Sequence, residues 1–162
     1  MSEVVVVVGN PKAHSRTRTV AEAVARAVSD AEPSVIELAD LGPQLFDWSS
    51  VAVKEKVAEL SAARIAVIAT PVYKATYTGL LKSFLDWFGQ TGLDGVTAIP
   101  VMVGAGAAHT LAVEVHLRPL LVEIGASLPT RGLYVLETEL DELDTVIDRW
   151  LVTAGGPLKR AL

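Results

Sequence analysis

Apolar positions along this chain follow two alternating patterns. Val4–Val8 is an unbroken β-branched run closed by Gly9, the signature of a parallel strand buried on both faces. Residues 17–29 read differently, because Val20, Val24, Ala27 and Val28 recur at helical spacing. A short strand is predicted over residues 35–38, just after Pro33, and LGPQLFDWSS then reads as a loop leading into a helix over Val51–Ser61. The third strand covers residues 64–70, and a helix over residues 79–88 follows, with Gly89 placed as its C-cap. Its apolar stripe is Leu80, Leu81, Phe84, Leu85 and Phe88. Residues 98–104 form the fourth strand. Pro100 removes a ladder donor and is therefore expected among its first residues. A helix over residues 109–124, a fifth strand within 128–136 and a helix over 140–153 complete the pattern, and the tail GGPLKRAL is expected to fray. Strands alternating with helices mean right-handed crossover units, hence a parallel sheet covered on both faces.

Composition narrows the classes. A chain of 162 residues suits one domain, burying roughly 70% of its unfolded surface without staples. Apolar residues make up 51% and the mean hydropathy is +0.40, which fits a doubly covered sheet and an apolar contact between copies. Each apolar run is interrupted well short of the ~18 residues a membrane span needs. The N-terminus MSEVVVVVG has no basic leader and is read as the first strand rather than a signal peptide. There is no cysteine, which removes disulfides, thiolate nucleophiles and iron–sulfur clusters. A cytoplasmic location is expected. A net charge of -5 argues against a general nucleic-acid binder, which needs a basic face. No His, Asp and Glu set has metal-ligand spacing, and no serine has the base and orienter of a triad; no metal and no catalytic side chain are expected.

Ligands of open parallel sheets bind beyond the carboxyl ends of the strands, near the point where strand order reverses. Three loops therefore matter: GNPKAHSRT (9–17), TPVYKATYTG (70–79) and GAGAAH (104–109). The first places Lys12, Ser15, Arg16 and Thr17 at a helix start, where free N–H groups and the positive dipole end favour phosphate. It is neither a GxxxxGK[ST] loop nor a GxGxxG turn. The plainer alternative is that Ser15 or Thr17 only caps the helix and the cations are solvated. In the second loop, the backbone of Pro71, Val72, Tyr73 and Lys74, with the faces of Tyr73 and Tyr77, would suit a flat heteroaromatic ring. These tyrosines are alternatively packing aromatics. Gly104 and Gly106 allow a ligand to approach the backbone of the third loop. His109 caps a helix, touches the ligand or does neither, and His14 and His116 read as surface or interface residues.

At this point a resemblance is visible. GNPKAHSRT is similar to the G-S-P-x-x-x-S-R-T phosphate loop of flavodoxin-like NAD(P)H-dependent FMN reductases. ATPVYKATYTGLLKSFLDWF resembles the T-P-x-Y-x-x-x-Y-x-G-x-L-K segment of the same family. In the reductase component of two-component alkanesulfonate monooxygenases the likeness extends to VGAGAAHTLAVEVHLRPLL, and it covers about residues 3–136. The resemblance implies a flavodoxin-like three-layer α/β/α sandwich over residues 1–162, with a five-stranded parallel sheet in the order 2-1-3-4-5. It implies that Ser15, Arg16 and Thr17 hold the FMN phosphate with Lys12. Pro71, Val72, Tyr73, Lys74 and Tyr77 would lie beside the ring, and Gly104, Gly106 and His109 at its other edge. The implied activity is hydride transfer from NADPH or NADH to FMN, which needs no protein acid or base. Implied partners are further copies of the chain, as a homodimer or homotetramer, and a flavin-dependent monooxygenase. The alternatives are an FMN-containing quinone, azo or metal reductase, and a flavodoxin-type electron carrier without nicotinamide chemistry. Asn10 stands where the family usually has serine, and the chain ends sooner than those reductases. Some relatives carry a π-bulge after the fourth strand. The matching residues here are 115–119, where Pro119 is expected to kink the helix.

Overall fold

The protein is described by a computed structural model covering residues 3–161. Among these residues, strands β1 (Val4–Val8), β2 (Ser34–Glu37), β3 (Ile65–Pro71), β4 (Thr97–Gly104) and β5 (Leu133–Leu136) form one parallel sheet. Their order is β2-β1-β3-β4-β5, that of flavodoxin-like doubly wound sheets. The helices are α1 (Arg16–Val28), α2 (Val51–Ser61), α3 (Gly79–Leu85), α4 (Arg118–Glu123) and α5 (Leu143–Ala161). Successive side chains of a strand point to opposite faces, and β1 shows why its run of valines is unbroken. Val4, Val6 and Val8 pack with Val20, Val24, Ile147 and Trp150 of α1 and α5. Val5 and Val7 join Val53, Leu60, Leu81, Phe84 and Leu121 of α2, α3 and α4. Every β1 valine is at most 1% exposed. Each such side chain contributes roughly 1.5–3 kcal/mol of burial.

Several expectations need correction. Leu41–Ser50 is not an open loop, since Gly42–Phe46 winds into a 3-10 helix. Helix α3 stops at Leu85, capped by Asp86 rather than Gly89. Trp87 and Phe88 then continue in tighter turns, donating to the carbonyls of Phe84 and Leu85. Pro100 lies in the middle of β4, opposite Ile68. The Ala98 N–H is donated to Ser127, so Pro100 faces the same side, where β5 has not yet begun, and the missing donor breaks no ladder bond. The helix after β4 is composite. Val113–Leu117 is a π-helical stretch that runs directly into α4, with Pro119 in the first turn of α4. The C-terminal tail does not fray within the described residues: α5 continues through Pro157 to Ala161 and buries Leu158.

Candidate functional site

The carboxyl ends of β1, β3 and β4 surround a cleft of about 440 Å³, within the ~300–1,000 Å³ usual for small-molecule sites. It lies where the strand order reverses between β1 and β3. One wall is the β1–α1 loop. Ser15 is the N-cap of α1, its Oγ accepting the Arg18 N–H at 3.4 Å. The capping alternative is thus realised, and it leaves the N–H groups of Arg16 and Thr17 at the head of the helix without intrahelical acceptors. Thr17 is buried, and its Oγ1 accepts from the Asn10 amide at 3.1 Å, leaving its own proton available to a ligand. The Asn10 side chain also accepts the Lys12 N–H at 2.9 Å, folding the loop back on itself.

A buried acid holds this loop from behind. Glu37, at the end of β2, accepts the His14 N–H through both carboxylate oxygens, at 3.1 and 3.2 Å. It also takes Nη1 of Arg18 at 3.0 Å. His14 has φ of 51°, a left-handed conformation that is uncommon for a non-glycine residue. Arg18 is shared with Glu22, which also pairs with Arg26. Burial raises the Glu22 carboxyl, but the hydrogen bonds and charges of the two arginines outweigh it and leave its pKa below the ordinary value.

The second wall comes from the β3–α3 loop. Pro71 and Tyr73 line the cleft, and Tyr73 to Thr76 close a tight antiparallel bridge in which Lys74 and Ala75 have positive φ. Thr78 couples the two walls. Its Oγ1 donates to the Gly9 carbonyl at 2.6 Å while capping α3 at Leu81. Gly9 has no room for a side chain, since a Cβ there would lie 2.7 Å from Leu81 Cβ.

Lys12, Ser15, Arg16, Thr17, Pro71 and Tyr73 thus meet on one cleft. Val72 ties β3 to β4 through the Val103 carbonyl, Lys74 is exposed, and Tyr77 packs against the core. Gly104 lies under Tyr134, whose hydroxyl donates to the Gly106 carbonyl at 2.8 Å. Burial, with Glu137 nearby, raises the Tyr134 pKa. His109 ends a short 3-10 turn and is exposed, away from the cleft lining. Asn10, His14, Val103 and Glu137 complete the lining. Of these, Glu137 follows β5 directly, and its Oε1 lies 3.2 Å from Nη2 of Arg16. The rule that ligands meet strand ends could have found it.

The fold and cleft define a flavodoxin-like α/β protein with an anion-receptive helix head at its switch point. Residues 2–141 match the family described as NADPH-dependent FMN reductase, and the chain belongs to that family of oxidoreductases. An FMN reductase (NADPH) of Escherichia coli (strain K12) is 29% identical over 142 residues, 85% of this chain and 74% of the relative. The NADH-dependent FMN reductase SfnF of Pseudomonas putida is 28% identical over 148 residues, 86% of this chain and 80% of the relative. Among solved structures, an NADH:FMN oxidoreductase in its apo form superimposes with a TM-score of 0.78 at 33% identity. The match covers 94% of this chain and 89% of that one. No helix among the described residues is long and apolar enough to cross a membrane.

Proposed function

We propose that the cleft binds FMN with its phosphate at the head of α1, and that the protein reduces FMN with NADPH or NADH. The observation that carries this reading is the meeting of Lys12, Ser15, Arg16 and Thr17 with Pro71 and Tyr73 on one cleft at the β1/β3 switch point. The donor set fits the group: two cations, two hydroxyls and free helix N–H groups match a dianion. Pro71, Val72, Tyr73, Lys74 and Tyr77 would support one side of the ring system. The loop carrying Gly104, Gly106 and His109 would lie toward its far edge, with His109 itself outside the cleft lining. When bound, FMN supplies the hydride acceptor; the side chains bind, orient and exclude water, and none is assigned a proton transfer. The relatives' names divide between NADPH and NADH, so both serve as trial co-substrates.

The test is FMN titration of Arg16→Ala and Ser15→Ala beside FMN-dependent oxidation of each nicotinamide. Removing a charge-assisted partner weakens FMN roughly tenfold to a hundredfold for Arg16→Ala, and less for Ser15→Ala. Unchanged affinity in both variants would remove the phosphate assignment.

We also propose a cytoplasmic homo-oligomer, a dimer or tetramer, that hands reduced flavin to a flavin-dependent monooxygenase. Phe88 and Trp87, just past the end of α3, are largely engaged within the chain. Phe88 packs edge-to-face on Phe84, and Trp87 donates to the Leu45 carbonyl. Exposed apolar side chains are found instead at Leu111, Val115 and Val122, in and just before the helix after β4, and at Phe46, Trp48 and Val51 near α2. Those rows are the contacts the oligomer would bury. A monomer by light scattering at micromolar concentration counts against it.

A further inference from the structure

Two carboxylates stand beside the β1–α1 loop, and their settings differ. The side chain of Glu37 is 5% exposed and is fixed by Arg18 and the His14 N–H. Glu137 is 38% exposed, its partner Arg16 is 64% exposed, and both line the cleft with Ser15 and Thr17. Among the described residues, Glu137 is the acid paired with Arg16. We propose that Glu137 is an internal competitor for the flavin phosphate. Its carboxylate occupies Arg16 until a phosphorylated flavin displaces it, so FMN exchanges rather than staying resident. This rests on the FMN reading of the cleft.

The physical case runs through charge and exposure. Lys12 and Arg16 offer two positive charges to a dianion, and Glu137 cancels one of them. Arg18 brings no excess charge, because Glu22 and Glu37 already engage it. An ion pair this exposed is weak, so an incoming dianion can break it. Once displaced, the Glu137 carboxylate remains near the phosphate and repels it, which favours release. A flavin without a phosphate has nothing to exchange against the carboxylate. Glu137 therefore lowers affinity for FMN selectively, and with it the gap between FMN and riboflavin. A protein that delivers reduced flavin to a separate acceptor needs this looseness; one that keeps its flavin does not.

The experiment titrates wild type and Glu137→Gln with FMN and with riboflavin, following flavin fluorescence, and measures FMN release by stopped flow. Glu137→Gln is expected to tighten FMN roughly threefold to tenfold, mainly through slower release, and to leave riboflavin unchanged. In an Arg16→Ala background the same substitution has a smaller effect, because the contested partner is gone. FMN affinity that is unchanged or weaker in Glu137→Gln overturns the proposal while leaving the FMN reading intact. Equal tightening of both flavins also overturns it, since the carboxylate would then act on the ring rather than the phosphate. A wild-type protein that binds neither flavin removes the FMN reading itself, and this proposal with it.

Discussion

Glu37 shows how one residue sets the shape of a loop that it does not belong to. It ends the edge strand β2, yet it accepts the N–H of His14, a residue at φ of 51°, and pairs with Arg18 across the loop. Replacing it by glutamine keeps the volume and one acceptor but removes the charge that Arg18 faces. Arg18 retains Glu22, so the loss is smaller than for an isolated buried pair, about 1–3 kcal/mol. Urea unfolding of Glu37→Gln should show that loss, and FMN titration should show weaker binding as the β1–α1 loop relaxes. Full stability with unchanged FMN affinity would mean that the loop holds its own shape. None of this was legible in the sequence. The loop residues Lys12, Ser15, Arg16 and Thr17 could be read there because they adjoin a strand end and a helix start. Glu37 and Glu137 lie far from them along the chain; both stand at the ends of strands, but nothing local in the sequence pairs them with Arg18 and Arg16.

At the scale of elements, the runs of valine and isoleucine were enough to locate β1 and β3, because a strand buried on both faces leaves no polar positions to blur it. Boundaries and interruptions depended on contacts between elements. Helix α3 ends early where Trp87 turns to reach the Leu45 carbonyl and stacks near Trp48, with ring centroids 4.6 Å apart. The π-helical stretch places Glu114 and Arg118 so that both serve residues 128–132. Glu114 accepts the Gly132 N–H at 2.6 Å, and Arg118 donates to the carbonyls of Leu128 and Thr130. Gly132 is where these elements converge. A Cβ there would lie 2.5 Å from Val113 Cγ2 and 2.9 Å from the Pro100 carbonyl oxygen. Pro100 could sit mid-strand only because β5 starts late on that side, and Gly132 fills that gap. Gly132→Ala should therefore destabilise the fold by about 1–3 kcal/mol, as overpacking does. Thermal unfolding measures it, and a loss below ~0.5 kcal/mol would show that β5 and the π-helical stretch can shift apart at little cost.

The whole molecule is closed by its last helix. After β5 the chain runs back along the sheet, and α5 covers the face shared with α1. Gly155, Gly156 and Pro157 read in the sequence as a helix stop, by propensity alone. The helix persists because Ala154 and Leu158 are buried on that face, at 0% and 3% exposure, and tertiary packing of an apolar face outweighs local preference. This makes the C-terminal turns part of the core rather than an appendage, and a matched pair of substitutions tests it. Leu158→Ala removes a buried side chain and should cost about 2–4 kcal/mol. Val152→Ala, on the same helix but 84% exposed, should change stability by less than ~0.5 kcal/mol. Urea unfolding separates the two. Similar small losses for both would mean that α5 is held by Val146, Ile147 and Trp150 alone, with its last turns riding free. A large loss confined to Leu158→Ala, with FMN affinity unchanged below the transition, would place the lock of the fold at the end of the sheet remote from the cleft. The loops around the cleft could then move without loosening the sheet beneath them.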